Sequence, residues 1–198
     1  SMFLSLPASI ALLIGSEEII SALFGYGSFN EEAVSNSAIA LYYFALGLPA
    51  FALIKVFSTF FFANHDTKTP FYISLISVIL NISVSIYYFE SIGFMIIPIS
   101  TTISSWFNSL ILFIFLINRN LFKFNNIFPL KFIKIIFASI LMGIFFKYLI
   151  LFFENYLTYD YSFKSFYLVL SVLLSFSFYV ILSLFIKAFK YNDIKLKY

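Results

Sequence analysis

The chain of 198 residues contains no cysteine and a single histidine, and only 11% of it is charged. Without cysteine there is no disulfide framework, no thiolate metal site and no thiol nucleophile. One histidine, His65, rules out a histidine pair for a metal, and the HExxH, GxSxG, Walker and GxGxxG patterns are all missing. The sequence therefore reads as that of a non-enzyme with no cofactor. The shortage of charge excludes more. A soluble domain carries about 25% charged residues, so water is not the solvent for most of this surface. The 12 basic and 9 acidic residues leave a net charge of +3, too few positives to track a phosphate backbone, and no nucleic acid partner is expected. There is no low-complexity stretch, no heptad pattern and no linker long enough to separate two domains.

What the chain does have is apolar length. Hydrophobic residues make up 62% of it and the mean hydropathy is +1.01. Phe (30) and Tyr (14) are abundant beside many Ile, Asn and Lys and one Arg. This usage matches an AT-rich genome, so the aromatic excess carries no functional weight. About 30 Å of hydrocarbon needs roughly 20 apolar residues at 1.5 Å each. Five runs reach that length, at 33–63, 70–89, 92–117, 132–153 and 166–186, and a sixth, 2–14, reads as a span cut at its start. The expected fold is all-α, a polytopic membrane helix bundle of about six transmembrane helices.

The connections alternate in charge, as the positive-inside rule requires. The 15–32 loop holds Glu17, Glu18, Glu31 and Glu32 without a base, the next outer turn holds Glu90, and 154–164 holds two acids and one base. These belong outside. The other links carry Lys68, then Arg119, Lys123, Lys131 and Lys134, and the tail carries Lys187, Lys190, Lys195 and Lys197. These belong inside, which places both ends of the chain in the cytoplasm.

Few residues can carry chemistry. Lys55 lies about eight residues, roughly 12 Å, inside the cytoplasmic end of its span. A charge at that depth faces a cavity or partner, or else its four-carbon stem snorkels to the interface. Lys147 is nearer its outer end, where snorkelling is the favoured reading. Asn81 and Ser85 share a helix face at i, i+4, with Thr101 and Thr102 in the next span. Such groups bond helix to helix, or form a weak Na⁺ site of neutral oxygens. Gly47 and Pro49 mark a break in the second run, either a transport hinge or a static kink. Gly25-Tyr26-Gly27 reads as a turn, and His65 beside Asp66 as a loop residue or, less simply, a proton relay.

Three blocks resemble the lipid II flippase family of the MurJ or MviN type. They are Leu23-Phe24-Gly25-Tyr26-Gly27-Ser28-Phe29, then Gly47-Leu48-Pro49-Ala50-Phe51 with Lys55-Val56, then Phe61-Phe62-Ala63-Asn64-His65-Asp66-Thr67-Lys68-Thr69-Pro70. Asn64 and Phe62 depart from the arginine and tyrosine common at those positions. The resemblance implies a fourteen-helix fold of two lobes of six plus a terminal pair, working by alternating access. Residues 1–117 would be four helices of the second lobe, 118–131 a cytoplasmic link, 132–187 the terminal pair and 188–198 a basic cytoplasmic tail. It implies a multi-pass protein of the bacterial cytoplasmic membrane that translocates a polyisoprenyl diphosphate glycan, with membrane lipid and a missing N-terminal lobe of the same protein as partners. On that reading the chain is a C-terminal fragment that does not act alone. Lys55, Asp66 and Lys68 become substrate-binding candidates. Gly25, Gly27, Phe29, Gly47, Pro49, Thr67, Thr69 and Pro70 become hinge or structural positions. Some family members are described with a cation site, for which Asn81 and Thr101 are placed suitably, while Ser85 stands where a carboxylate is expected. The terminal pair would wall a groove for the lipid tail. The competing readings are a polysaccharide flippase or multidrug antiporter of the same superfamily, and a non-transporting structural membrane subunit.

Overall fold

The computed structural model describes residues 1–121 and 128–188, and among them finds helices and no strand. Lys123, Lys190, Lys195 and Lys197, with part of the expected 118–131 link and nearly all of the 188–198 tail, lie outside the described residues. Seven α-helices follow in order: α1 Met2–Ile14, α2 Ser16–Phe24, α3 Glu31–Ala63, α4 Lys68–Ile92, α5 Ile96–Asn118, α6 Phe128–Phe152 and α7 Lys164–Phe185.

Long apolar runs without a strong polar face suit helices that meet lipid or other helices on every side. By length and composition, four stretches can cross a membrane, or five if the bent pair α1 and α2 counts as one span. One of the four is the 51-residue stretch Lys68–Asn118. It is not a single rod, because Gly93 adopts a positive φ of 71° that favours glycine and turns the chain. Asn108 bonds Ser74 and Ser100 bonds Asn81, so α4 and α5 run antiparallel as a hairpin. Two crossings follow from that stretch, and the expected six are met by five long helices and the bent pair. Pro98 sits in the first turn of α5, where a missing N–H removes no intrahelical bond.

Two expectations are corrected. After an 81° bend α1 is followed by α2, so Ser16–Phe24, expected to be part of an outer loop, is helical. The bend occurs at Gly15, where a Cβ would lie 2.8 Å from the ring of Phe146. The break expected at Gly47 and Pro49 is absent as well. Helix α3 continues through both residues.

Two compact units divide the described chain. The first comprises 1–5 and 39–124, the second 6–38 and 125–198. In the first, Phe61, Ile73, Leu112 and Leu116 form the buried core. In the second, Ala22, Phe146, Ile150, Leu157 and Leu168 do so, and Phe145 stacks on Phe178 at 4.7 Å between antiparallel α6 and α7. The expected blocks 1–117 and 132–187 cut the chain differently.

Helices α3, α5 and α7 share one C-terminal device. In each, a left-handed residue follows the helix: His65 (φ 58°), Asn120 (φ 54°) and Lys187 (φ 54°). Its N–H and that of the next residue turn back onto the last carbonyls, as in His65 to Phe62 at 3.0 Å and Asp66 to Phe61 at 3.0 Å. This is the Schellman pattern, which usually recruits glycine.

Phe146 is fully buried. Replacing it with alanine leaves a cavity against Gly15 and should destabilise the second unit by about 3 kcal/mol. Denaturant titration of the purified protein in detergent micelles reads this as a lower unfolding midpoint, and an unchanged midpoint would contradict the packing described.

Candidate functional site

At the turn between α3 and α4, the Asp66 carboxylate accepts the Thr69 backbone N–H at 3.0 Å and the Thr69 hydroxyl at 2.6 Å. It therefore caps the first turn of α4, while Thr67 makes no side-chain capping bond. Pro70 lies buried in that turn. Arg119, at the end of α5, pairs with Asp66 and stands 5.8 Å over the Phe115 ring. The Thr69 hydroxyl and N–H, and then Arg119, hold the Asp66 carboxyl down from 3.8 to about 2. Lys68 is exposed as the first residue of α4. Asp66 is thus committed to structure on every face described. His65 is exposed beside it.

Lys55 is exposed on α3, and no ion pair to it occurs among the described residues. Its carbonyl accepts the Thr59 hydroxyl at 2.7 Å. Lys147 is exposed as well. About two to three turns before Lys55, α3 meets α5 closely. The Thr102 hydroxyl donates to the Tyr43 carbonyl at 2.6 Å and the Trp106 indole N–H to the Leu46 carbonyl at 3.0 Å. A Cβ on Gly47 would lie 2.9 Å from Thr102 Oγ1, so glycine permits this approach. Trp106 and Thr102 were not legible as partners of the Gly47–Pro49 block, because nothing in the sequence spaces them to it.

The structure brings Asn81, Ser85 and Thr101 together, with Ser100 among them. Asn81 Nδ2 donates to Thr101 Oγ1 at 3.2 Å, Ser100 donates to Asn81 Oδ1 at 2.9 Å, and Ser85 lies 2.6 Å from Ser100 Oγ. The amide is occupied at both ends. Among the described residues no group of three or more His, Cys, Asp or Glu could hold a metal ion.

In the second unit, Lys164 begins α7 and is fully buried. Its ammonium donates to the Gly25 carbonyl at 2.7 Å and the Tyr159 carbonyl at 2.6 Å, and lies 4.4 and 4.5 Å from the ring centres of Tyr26 and Tyr159. Ser165 donates to the Ala22 carbonyl at 2.6 Å. The start of α7 thus caps the end of α2, where carbonyls and the helix dipole favour a cation. A Cβ on Gly25 would meet Ser21 O at 2.6 Å and Lys164 Nζ at 3.1 Å. Gly27 takes a positive φ of 62° and the Phe29 carbonyl accepts the Tyr159 hydroxyl at 2.8 Å. Lys164 was passed over in the sequence as an ordinary loop base. The available signal was its anomaly, a lysine at a helix N-terminus beside an acidic outer loop. Nearby, Glu17, Glu18, Glu31, Glu32 and Asp160 line a cavity of about 740 Å³.

Several long apolar helices with capped ends and no catalytic constellation among the described residues define a multi-pass membrane protein. The model of the lipid II flippase MurJ family matches residues 1–170. The chain belongs to that family. It is 39% identical over 107 residues to the "probable lipid II flippase MurJ" of Rickettsia prowazekii, covering 54% of this chain and 21% of the relative. The protein of the same name from Rhizobium meliloti is 41% identical over 119 residues, covering 60% and 22%. That from Thermotoga maritima is 38% identical over 143 residues, covering 72% and 28%. The chain thus spans about a fifth to a quarter of the curated relatives it matches. A solved structure, "Lipid II flippase MurJ, inward closed conformation", shares the fold with a TM-score of 0.75 at 24% identity, covering 94% of this chain and 37% of that one.

Two outcomes follow. Carbon-13 NMR of the labelled Asp66 carboxyl should give a midpoint of about 2, and one near the ordinary 3.9 would mean the cap does not form. Because this pKa is depressed, the stabilisation is present above about pH 4 and is lost as pH falls through about 2. Lys164→Met leaves two carbonyls unpaired and should cost roughly 3 kcal/mol, read as a lower thermal midpoint, whereas Ser162→Ala on the exposed neighbouring loop should leave the midpoint unchanged.

Proposed function

We propose that this chain forms part of a transporter that moves lipid II, a polyisoprenyl diphosphate glycan, across the bacterial cytoplasmic membrane by alternating access. The family match over residues 1–170 carries this reading. Two lobes rock about a central cavity, the charged headgroup crosses through it, and the tail stays in lipid or in a groove on the terminal helix pair. Residues 1–117 supply four helices of one lobe and 132–187 the terminal pair. The remaining helices of the family fold complete the cavity, so the N-terminal lobe is a partner in function.

Within this chain the exposed Lys55 is the substrate-facing cation, suited to an anionic diphosphate because it lies deep in its span without a carboxylate beside it. Lys68 adds positive charge at the cytoplasmic turn, and Asp66 holds that turn in shape for it. The three left-handed helix ends and their basic residues lie on the cytoplasmic side, in keeping with the positive-inside rule.

Expression of the gene that carries this sequence, in cells depleted of their own lipid II flippase, should restore growth. Insertion into the membrane without restored growth would refute the reading. In the same cells, Lys55→Ala should lower plating efficiency at least tenfold and Lys55→Arg much less. Equal growth of the two would show that Lys55 only snorkels.

A further inference from the structure

Where α4 and α5 face α3 there is an open pocket of about 280 Å³, lined by Ser74, Ser77, Ser104, Ser105 and Asn108 with Phe51 and Ile54 of α3. Asn81 and Thr101 border it, but the Asn81 oxygen already accepts from Ser100 and the Thr101 hydroxyl donates to the Ile97 carbonyl. Three of the four lining serines turn their hydroxyl protons elsewhere. Ser77 donates to the Ile73 carbonyl at 2.8 Å, and Ser104 and Ser105 both donate to the Thr101 carbonyl, at 3.0 and 2.6 Å. Their remaining lone pairs are acceptors only. Asn108 has spent a donor too, with its Nδ2 on Ser74 Oγ at 3.4 Å. Its carbonyl oxygen has no partner although the residue is only 7% exposed.

The pocket therefore offers more acceptors than donors, and the Asn108 oxygen is an acceptor that nothing meets. Asn108 lies twelve residues, roughly 18 Å, into α5, far from either membrane surface. A buried unpaired amide carbonyl costs about 1–3 kcal/mol, and in the hydrocarbon nothing else donates to it. A bare cation would satisfy the oxygens, but no charged side chain lines the pocket to balance it. A small neutral donor fits both the chemistry and the volume, which holds several waters at ~30 Å³ each. We propose that this pocket holds ordered water that donates to Asn108 Oδ1 and to the serine oxygens, making a wet seam inside the α3, α4 and α5 group.

The absence of cysteine gives a clean test. Single substitutions Ser104→Cys and Asn108→Cys, in the protein reconstituted into phosphatidylcholine vesicles, should react with a small methanethiosulfonate reagent at least tenfold faster than Ile103→Cys and Leu110→Cys. The latter two positions are exposed apolar sites on α5 outside the pocket, and a thiol in apolar surroundings ionises poorly. Equal, slow rates at all four would overturn the proposal. So would a several-fold change in rate when sodium in the buffer is replaced by choline, which would place a cation in the pocket. Because either polar substitution can impair folding, the unsubstituted protein supplies a second reading. Hydroxyl-radical footprinting by X-ray radiolysis needs water at the residue, so Ile54 should be oxidised well above Ile79 and Ile82. No oxidation of Ile54 above those two would also refute it. Neither measurement depends on whether the protein transports lipid II.

Discussion

In a bilayer core no solvent completes the hydrogen bonds of a buried polar group, so each such group must find its partner within the protein. The hairpin of α4 and α5 answers this with a ladder of small polar side chains. Asn81, Ser100 and Thr101 bond across it, and Ser77, Ser104 and Ser105 fold their hydroxyls back onto their own helices. Back-bonding of this kind satisfies the donor cheaply but leaves an acceptor behind. The same constraint governs the crossing of α3 and α5. Thr102 and Trp106 of α5 donate to the Tyr43 and Leu46 carbonyls of α3, which runs on unbroken through Pro49. Gly47 lets α5 come near enough for these bonds.

Helix ends obey the same accounting with different means. On α3, α5 and α7 the last carbonyls are closed by the chain itself, turning left-handed at His65, Asn120 and Lys187. None of these is glycine, and a left-handed backbone costs a non-glycine residue about 1 kcal/mol or more. The chain has only six glycines, and several are held where helices approach closely, such as Gly15, Gly25 and Gly47. At the far end of the second unit a side chain does the work instead. Lys164 and Ser165 reach from α7 to close the end of α2, and Tyr26 and Tyr159 shield the ammonium. That arrangement accounts for the glycine-tyrosine-glycine block without a ligand: Gly25 leaves room for the lysine and Gly27 turns the chain.

Some charged groups are taken up by structural duties. Asp66 is held by Thr69 and Arg119, and Lys164 by two carbonyls. Lys55 and Lys68 stay exposed.

The sequence by itself determined that the chain is helical, that it crosses a membrane repeatedly and which family it belongs to, because hydrocarbon thickness sets span length and loop charge alternates along the chain. The helices at 70–89, 92–117, 132–153 and 166–186 were legible to within a few residues, and so was the Asn81–Thr101 grouping, since short hairpins place successive spans side by side. Other features rest on contacts distant in sequence. The bend at Gly15 packs against Phe146, the close crossing of α3 and α5 rests on Thr102 and Trp106, and the burial of Lys164 on a loop some 139 residues away. Only the tertiary structure decided these, because the partner that satisfies a polar group or fills the space beside a glycine is set by how helices pack, and an almost uniformly apolar sequence leaves little pattern from which to read that packing.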